Sequence, residues 1–139
     1  MDAKEYLMEF TKIRNQIEKN QIIIENLKAV ATKTNTFSES ERVQGSRNLD
    51  PMGKAVLDYL DLEQENADLL NELTNARCRI FQVLKQVENV NAVDVLTKRY
   101  ILGMKFEDIA EAKEQSARNI YEVHKKGLDA VQVILNKIQ

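Results

Sequence analysis

Two long apolar seams constrain this chain more than any other feature. Tyr6, Phe10, Ile13, Ile17, Asn20, Ile24, Leu27 and Ala31 alternate steps of four and three residues without a slip. Met52, Ala55, Tyr59, Leu62, Asn66, Leu69, Leu73, Ala76, Ile80, Val83 and Val87 do the same. Such a repeat keeps one narrow stripe of an α-helix apolar, and a second helix must cover that stripe. The spacing predicts one helix over about residues 3–34 and another over about 51–88. Ile22 and Ile23 lie off the first seam and widen its apolar face. Val56, Leu60, Leu70 and Leu84 thicken the second on one side.

Between the seams, "NTFSESERVQGSRNLD" (35–50) gathers Ser, Asn and Gly and breaks the pattern. A connection of that length is uncommon, so it is read as a flexible or functional loop. Phe37 is its aromatic residue, expected to tuck onto the hairpin. Asp50-Pro51 then marks a helix start, with Asp as the N-cap and Pro at the first helical position. Asn89 and Asn91 break the second seam, and Asn91 with Asp94 resembles a cap followed by an acidic first turn.

Each seam holds one Asn at a core position. Setting Asn20 opposite Asn66 in an antiparallel hairpin places Ala31 opposite Ala55 and Tyr6 opposite Ile80, so small meets small and the loop falls at the correct end. A buried Asn pair fixes register at some cost in stability. The alternative is that both Asn sit at a wet edge of the seam. The same seams could also pair between chains, giving a homodimer through the hairpin.

Composition agrees with exposed helices. Of 139 residues, 43% are hydrophobic and 30% charged, a balance suited to one domain with an extended helical arm. One Pro, four Gly and no Trp point the same way. No apolar run approaches the roughly 20 residues a membrane span needs, so neither membrane association nor a signal peptide is expected. Cys78 is the single cysteine, which rules out an internal disulfide and fits a reducing cytoplasm. The net charge of −2 argues against indiscriminate nucleic-acid binding. Any DNA contact must be local and salt-sensitive.

The tail, Val95 to Leu135, carries apolar residues at helical spacing in three short blocks. These are Val95, Leu96 and Tyr100; Phe106, Ile109 and Ala110; and Ile120, Val123, Leu128 and Val131. Gly103 separates the first two, and Ser116 is a good N-cap for the third. A short side chain at Ala110 suits two helices that cross steeply at close range. Residues 91–139 therefore read as a helix-turn-helix domain behind a hairpin domain of residues 1–90. Its last helix should run from Ala117 to about Asn136.

The run Arg99-Tyr100, Gly103, Phe106-Glu107-Asp108-Ile109-Ala110, Ser116, Ile120, Val123, Lys126 and Leu128 resembles region 4 of sigma-70-type factors, which reads promoter DNA. The whole chain, including "ERVQGSRNLDPMGKAVLDYLDLEQE", is similar to the ArpU-like regulators of phages from Gram-positive hosts. Two features depart from that pattern. Lys105 stands where the second helix of sigma-like domains usually opens with Thr or Ser. Lys113-Glu114-Gln115 replaces an apolar-Gly-apolar turn. A Glu in a left-handed turn costs about 1 kcal/mol relative to Gly, which is tolerable, but three polar replacements in a row suggest a looser or re-routed turn.

The candidate DNA-binding residues follow from this placement. Arg118 and Asn119 lie in the first turn, where Arg suits guanine and Asn suits adenine. Ser116, Ala117, Tyr121 and Glu122 share that edge, with Glu122 able to accept from a cytosine amine. Lys125, Lys126 and Lys98 could reach phosphates. The resemblance adds Arg99, Lys105 and Ser116 as backbone contacts. Each of these could equally be an ordinary solvated helix residue.

Other chemistry finds little footing. His124 is the only histidine, which leaves no usual metal site and no Ser/His/Asp arrangement. It reads as a surface or groove-edge residue, and Cys78 as a buried or half-buried packing residue. The carboxylate pairs Glu63/Glu65, Glu107/Asp108 and Glu111/Glu114 read as solvated faces. The expected class is all-α: a long antiparallel hairpin or coiled coil followed by a sigma region 4-like helix-turn-helix. No enzyme activity, cofactor or metal is expected. The resemblance implies a transcriptional regulator of phage or prophage late genes in the bacterial host cytoplasm. Its partners would be double-stranded promoter or operator DNA and host RNA polymerase. The alternatives are a small terminase-like packaging protein and an adaptor that has lost DNA binding.

Overall fold

The computed structural model describes residues 1–37 and 50–138. The expected loop over 35–50 therefore lies largely outside the described residues, as does the side chain of Phe37. The protein is all-α: every regular element among the described residues is a helix. These are α1 (Ala3–Phe37), α2 (Pro51–Leu84), α3 (Val90–Leu96), α4 (Phe106–Lys113) and α5 (Ala117–Ile138). A π-helical turn, Thr97–Ile101, follows α3 directly. The helix α2 opens as expected: the Gly53 N–H donates to Asp50 Oδ1 at 2.6 Å. It ends at Leu84, four residues before the expected boundary, because the chain turns there and buries Val87 within the turn region.

By its contacts the chain forms two compact units, Asn15–Asn71 and Met1–Arg14 with Glu72–Gln139. In the first, α1 and α2 run antiparallel: Asn66 meets Ile17 and Asn20, while the earlier Glu63 meets the later Lys28. Ile24 and Ala55 are buried, and so are the two seam asparagines. Asn20 Nδ2 donates to Asn66 Oδ1 at 2.9 Å and to Glu65 Oε2 at 2.8 Å. Gln16 Nε2 donates to Asn20 Oδ1 at 3.2 Å, and Asn66 Nδ2 to the Ile17 carbonyl at 3.4 Å. No buried polar side-chain atom among the described residues lacks a partner. The residues expected to thicken the seams do not all pack: Ile22, Ile23, Leu60 and Leu70 are exposed, while Leu84 is buried.

In the second unit, two apolar clusters form. The larger joins Ala3, Leu7 and Phe10 of α1 to Ile80, Val83 and Leu84 of α2, Leu96 and Tyr100, and Val131, Ile134 and Leu135 of α5. Gln132 ties the chain start to α5, accepting from the Ala3 N–H at 2.8 Å and donating to the Met1 carbonyl at 3.3 Å. Gly127 permits the close approach of α3 to α5: a Cβ there would sit 3.0 Å from Leu96 Cδ1 and 3.4 Å from Ala92 Cβ. The smaller cluster holds Val95, Ile109, Ala110 and Ile120. Cys78 is exposed rather than packed. It stands two residues past the seam position Ala76, which turns it to the outer side of α2.

Two substitutions at the asparagine pair should differ in size. Asn66→Ala leaves one Asn20 Nδ2 hydrogen without its partner, the other still on Glu65, and should cost about 1–3 kcal/mol in urea unfolding. Replacing both by Leu removes the buried amides themselves, and most of the loss should be recovered.

Candidate nucleic-acid interface

Local capping sets where α3 and α5 begin. Asn89, not Asn91, caps α3: its side chain accepts from the Ala92 N–H at 3.2 Å. An N-cap serves the amide three residues on, and Asn89 has the extended backbone the role requires. Asp94 is thereby free for a different task. It accepts from Lys98 one turn on and from Lys113 at the end of α4. Hydrogen bonds from Lys113 and then Lys98 hold its carboxyl below the usual carboxylate range. Lys105 begins α4 without a side-chain cap. Ser116 opens α5, its Oγ accepting from the Asn119 N–H at 3.1 Å.

The turn between α4 and α5 is closed and regular, contrary to the loose turn its polar residues suggest. The Glu114 N–H donates to the Glu111 carbonyl at 3.2 Å and the Gln115 N–H to the Ala110 carbonyl at 3.0 Å. This is the paired bonding of a Schellman motif, which satisfies the last carbonyls of α4 through backbone alone. Glu114 sits at φ 54° and ψ 44°, the left-handed conformation usually given to Gly. The strain of that residue is the cost of keeping the turn.

The turn before α4 uses a glycine in the ordinary way. Leu102 N–H donates to the Thr97 carbonyl and Met104 N–H to the Lys98 carbonyl, each at 3.0 Å. Gly103 lies between them at φ +71°, with Arg14 Nη2 only 2.7 Å from where a Cβ would stand. Arg14 Nη1 donates to the Ile101 carbonyl at 3.0 Å, so the guanidinium braces this turn.

An aromatic group fills the crossing of α4 and α5. Arg99 lies over the Phe106 ring at 4.4 Å, and Tyr121 and His124 pack on the same ring with centroids 4.5 and 5.0 Å away. His124 is half-buried, not a surface residue, and its Nε2 lies 2.7 Å from the Tyr100 hydroxyl. Burial first, then Arg99 and Lys4, lowers the His124 pKa, while burial raises that of Tyr100. Both groups are thus favoured in their neutral forms, and the imidazole tautomer sets which of the two donates.

The sequence candidates divide into two groups. Ser116, Ala117, Arg118, Asn119, Tyr121, Glu122, Lys125 and Lys126 are exposed along the start of α5. Lys105 is exposed at the start of α4. Several already have protein partners: Arg118 faces Glu122 at 3.7 Å, and Asn119 Nδ2 donates to Gln115 Oε1 at 2.9 Å. Lys126 lines a groove with Val87, Asn89, Val133 and Lys137, away from Arg118. The second group is engaged by the fold. Lys98 is held by Asp94, and Arg99 also donates to the Met104 carbonyl at 3.1 Å.

Three contacts were missed in the sequence. Asp94 and Lys98 stand one turn apart and could have been paired on spacing alone. Nothing in spacing announces Lys113 beside Asp94, or Tyr100 beside His124. Among the described residues there is no group of three or more His, Cys, Asp or Glu placed to hold a metal ion. No helix among them is long and apolar enough to cross a membrane. Comparison with protein-family models, curated proteins and solved structures finds no match to this chain.

Two measurements check this account. Glu114→Gly should raise stability by about 1 kcal/mol in chemical unfolding, by relieving the left-handed residue. Stability should also follow His124. Its folded pKa lies below the ordinary 6.5, so the unfolded chain binds the proton more readily. The contribution is complete above about pH 6.5 and is lost as pH falls through the lowered folded value. Thermal unfolding between about pH 7.5 and 5 should show that loss, and His124→Gln should flatten it.

Proposed function

We propose that this chain binds double-stranded DNA through the start of α5 and acts in transcriptional regulation. The observation that carries the reading is the bare leading edge of α5. The Ser116 cap and the closed Glu114 turn set that edge off from α4, and Ile120 anchors the helix from behind. A helix so held offers Arg118 and Asn119 in its first turn, with Lys125 two turns on, the layout by which a recognition helix meets base edges and phosphates. Promoter DNA, phage or prophage late genes, host RNA polymerase and a bacterial cytoplasm rest on the sigma-like and ArpU-like resemblance alone. We assign the chain no catalytic step.

A second reading, a protein-binding adaptor, is favoured by one observation. Lys98, Arg99 and Arg118 are all engaged by other residues of the chain. Among the described residues, that leaves Lys105, Lys125 and Lys126 as the candidate cations not so engaged. Phosphate neutralisation would then be modest.

Fluorescence anisotropy on duplexes selected from a random-sequence pool separates the two. For the DNA reading, affinity falls steeply between about 50 and 200 mM salt. Arg118→Ala should cost the selected sequence about 1–3 kcal/mol and flatten its preference. Lys125→Ala should weaken all duplexes alike and reduce the salt slope. Absence of binding even at low salt would leave the adaptor reading.

A further inference from the structure

The outer side of α2 carries a second seam, exposed along its length. From Leu57, stepping alternately by three and four residues to Phe81, every position is uncharged and exposed. Leu57 and Leu60 are each 49% exposed and Phe81 37%. The flank of the same helix is densely charged, with Asp58, Asp61, Glu65, Asp68 and Glu72. An exposed heptad stripe without charge, on a helix otherwise so charged, has the pattern of a helix–helix interface.

We propose that a second copy of this chain docks on that stripe, the two α2 helices antiparallel and Leu57 opposite the second copy's Phe81. The register follows from the sequence. It sets Leu60 against the second copy's Cys78, Gln64 against its Thr74 and Ala67 against its Asn71. Large side chains close both ends, and small ones in the middle let the helices approach. The contact is isologous, as a twofold dimer requires. Uncharged polar residues within the stripe specify register at a cost in affinity.

Charge decides both the occupant and its direction. Along α2 the acids lie between Asp58 and Glu72, with Lys54 before them and Arg77 and Arg79 after. A parallel pair would lay the acidic stretches side by side, with Glu63 against the second copy's Asp68. The antiparallel pair sets the acidic stretch beside Arg77 and Arg79 and brings Glu63 to the second copy's Arg77, twice by symmetry. Asp68 beside its own copy is the single like-charge contact. Glu63 holds Lys28 through Oε1, which leaves its second oxygen for the guanidinium.

Sedimentation of the full chain over a concentration series tests this, with circular dichroism as the check on folding. A monomer–dimer equilibrium is expected. Leu60→Glu should weaken association at least about tenfold at unchanged helicity, since the site is exposed in the monomer. Direction is read by oxidation. In the antiparallel register the two Cys78 sulfurs lie roughly 27 Å apart along the axis, so the unsubstituted chain should not cross-link. Leu60→Cys should give a covalent dimer through Cys78. A monomer at every concentration, or a dimer indifferent to Leu60→Glu, overturns the proposal, and so does a disulfide between native Cys78 residues.

Discussion

The 2.7 Å contact between the Tyr100 hydroxyl and His124 sits where the two apolar clusters of the C-terminal helices meet. Tyr100 belongs to the larger cluster, and its carbonyl accepts from Thr11 Oγ1 at 3.4 Å. His124 lies on α5, edge-on to Phe106 of the smaller cluster. One neutral imidazole thus joins a buried tyrosine to the aromatic group that braces the α4–α5 crossing. Rotation of α5 about its axis would break this contact, and the same rotation decides which residues of α5 face outward. The placement of Arg118 and Asn119 therefore depends on two groups that are not themselves at the exposed edge.

The turn at Glu114 shows why residue type alone misjudges a backbone. Three polar residues stand where a small apolar turn is usual, which suggests slack. The Schellman bonds need only backbone N–H and carbonyl groups, so they form regardless of the side chains. What the side chain decides is the cost of the left-handed residue, and a cost near 1 kcal/mol is small beside the burial of Ile109 and Ile120. Packing on either side of the turn imposes its geometry.

Some features were legible because they are local. The strict seams announced α1 and α2, the Asp50-Pro51 pair announced the start of α2, and Ser116 announced α5. The Asn20–Asn66 contact followed from matching the seams, because facing positions in an antiparallel pair are fixed by a single register. Capping by Asn89 in place of Asn91 was not separable by sequence, since both precede the helix and only backbone conformation chooses between them. Cys78 was misjudged because its small apolar character suggested packing, whereas its place two residues from both Ala76 and Ile80 turns it outward. Likewise, a histidine on an amphipathic helix gives no sign of the tyrosine it will meet, which stands 24 residues earlier.

By itself the sequence determined that this chain is helical, where α1, α2 and α5 begin, and which face of each long helix must be covered. Those properties follow from periodicity and capping, which act over one or two turns. Tertiary structure alone decided that Leu7 and Phe10 share a core with Leu96, Tyr100 and Val131, that Lys113 and Arg99 are engaged within the fold, and that the outer stripe of α2 stays exposed. The reason is physical: these outcomes depend on which distant surfaces compete for the same apolar area and the same charges, and no local pattern encodes the result of that competition.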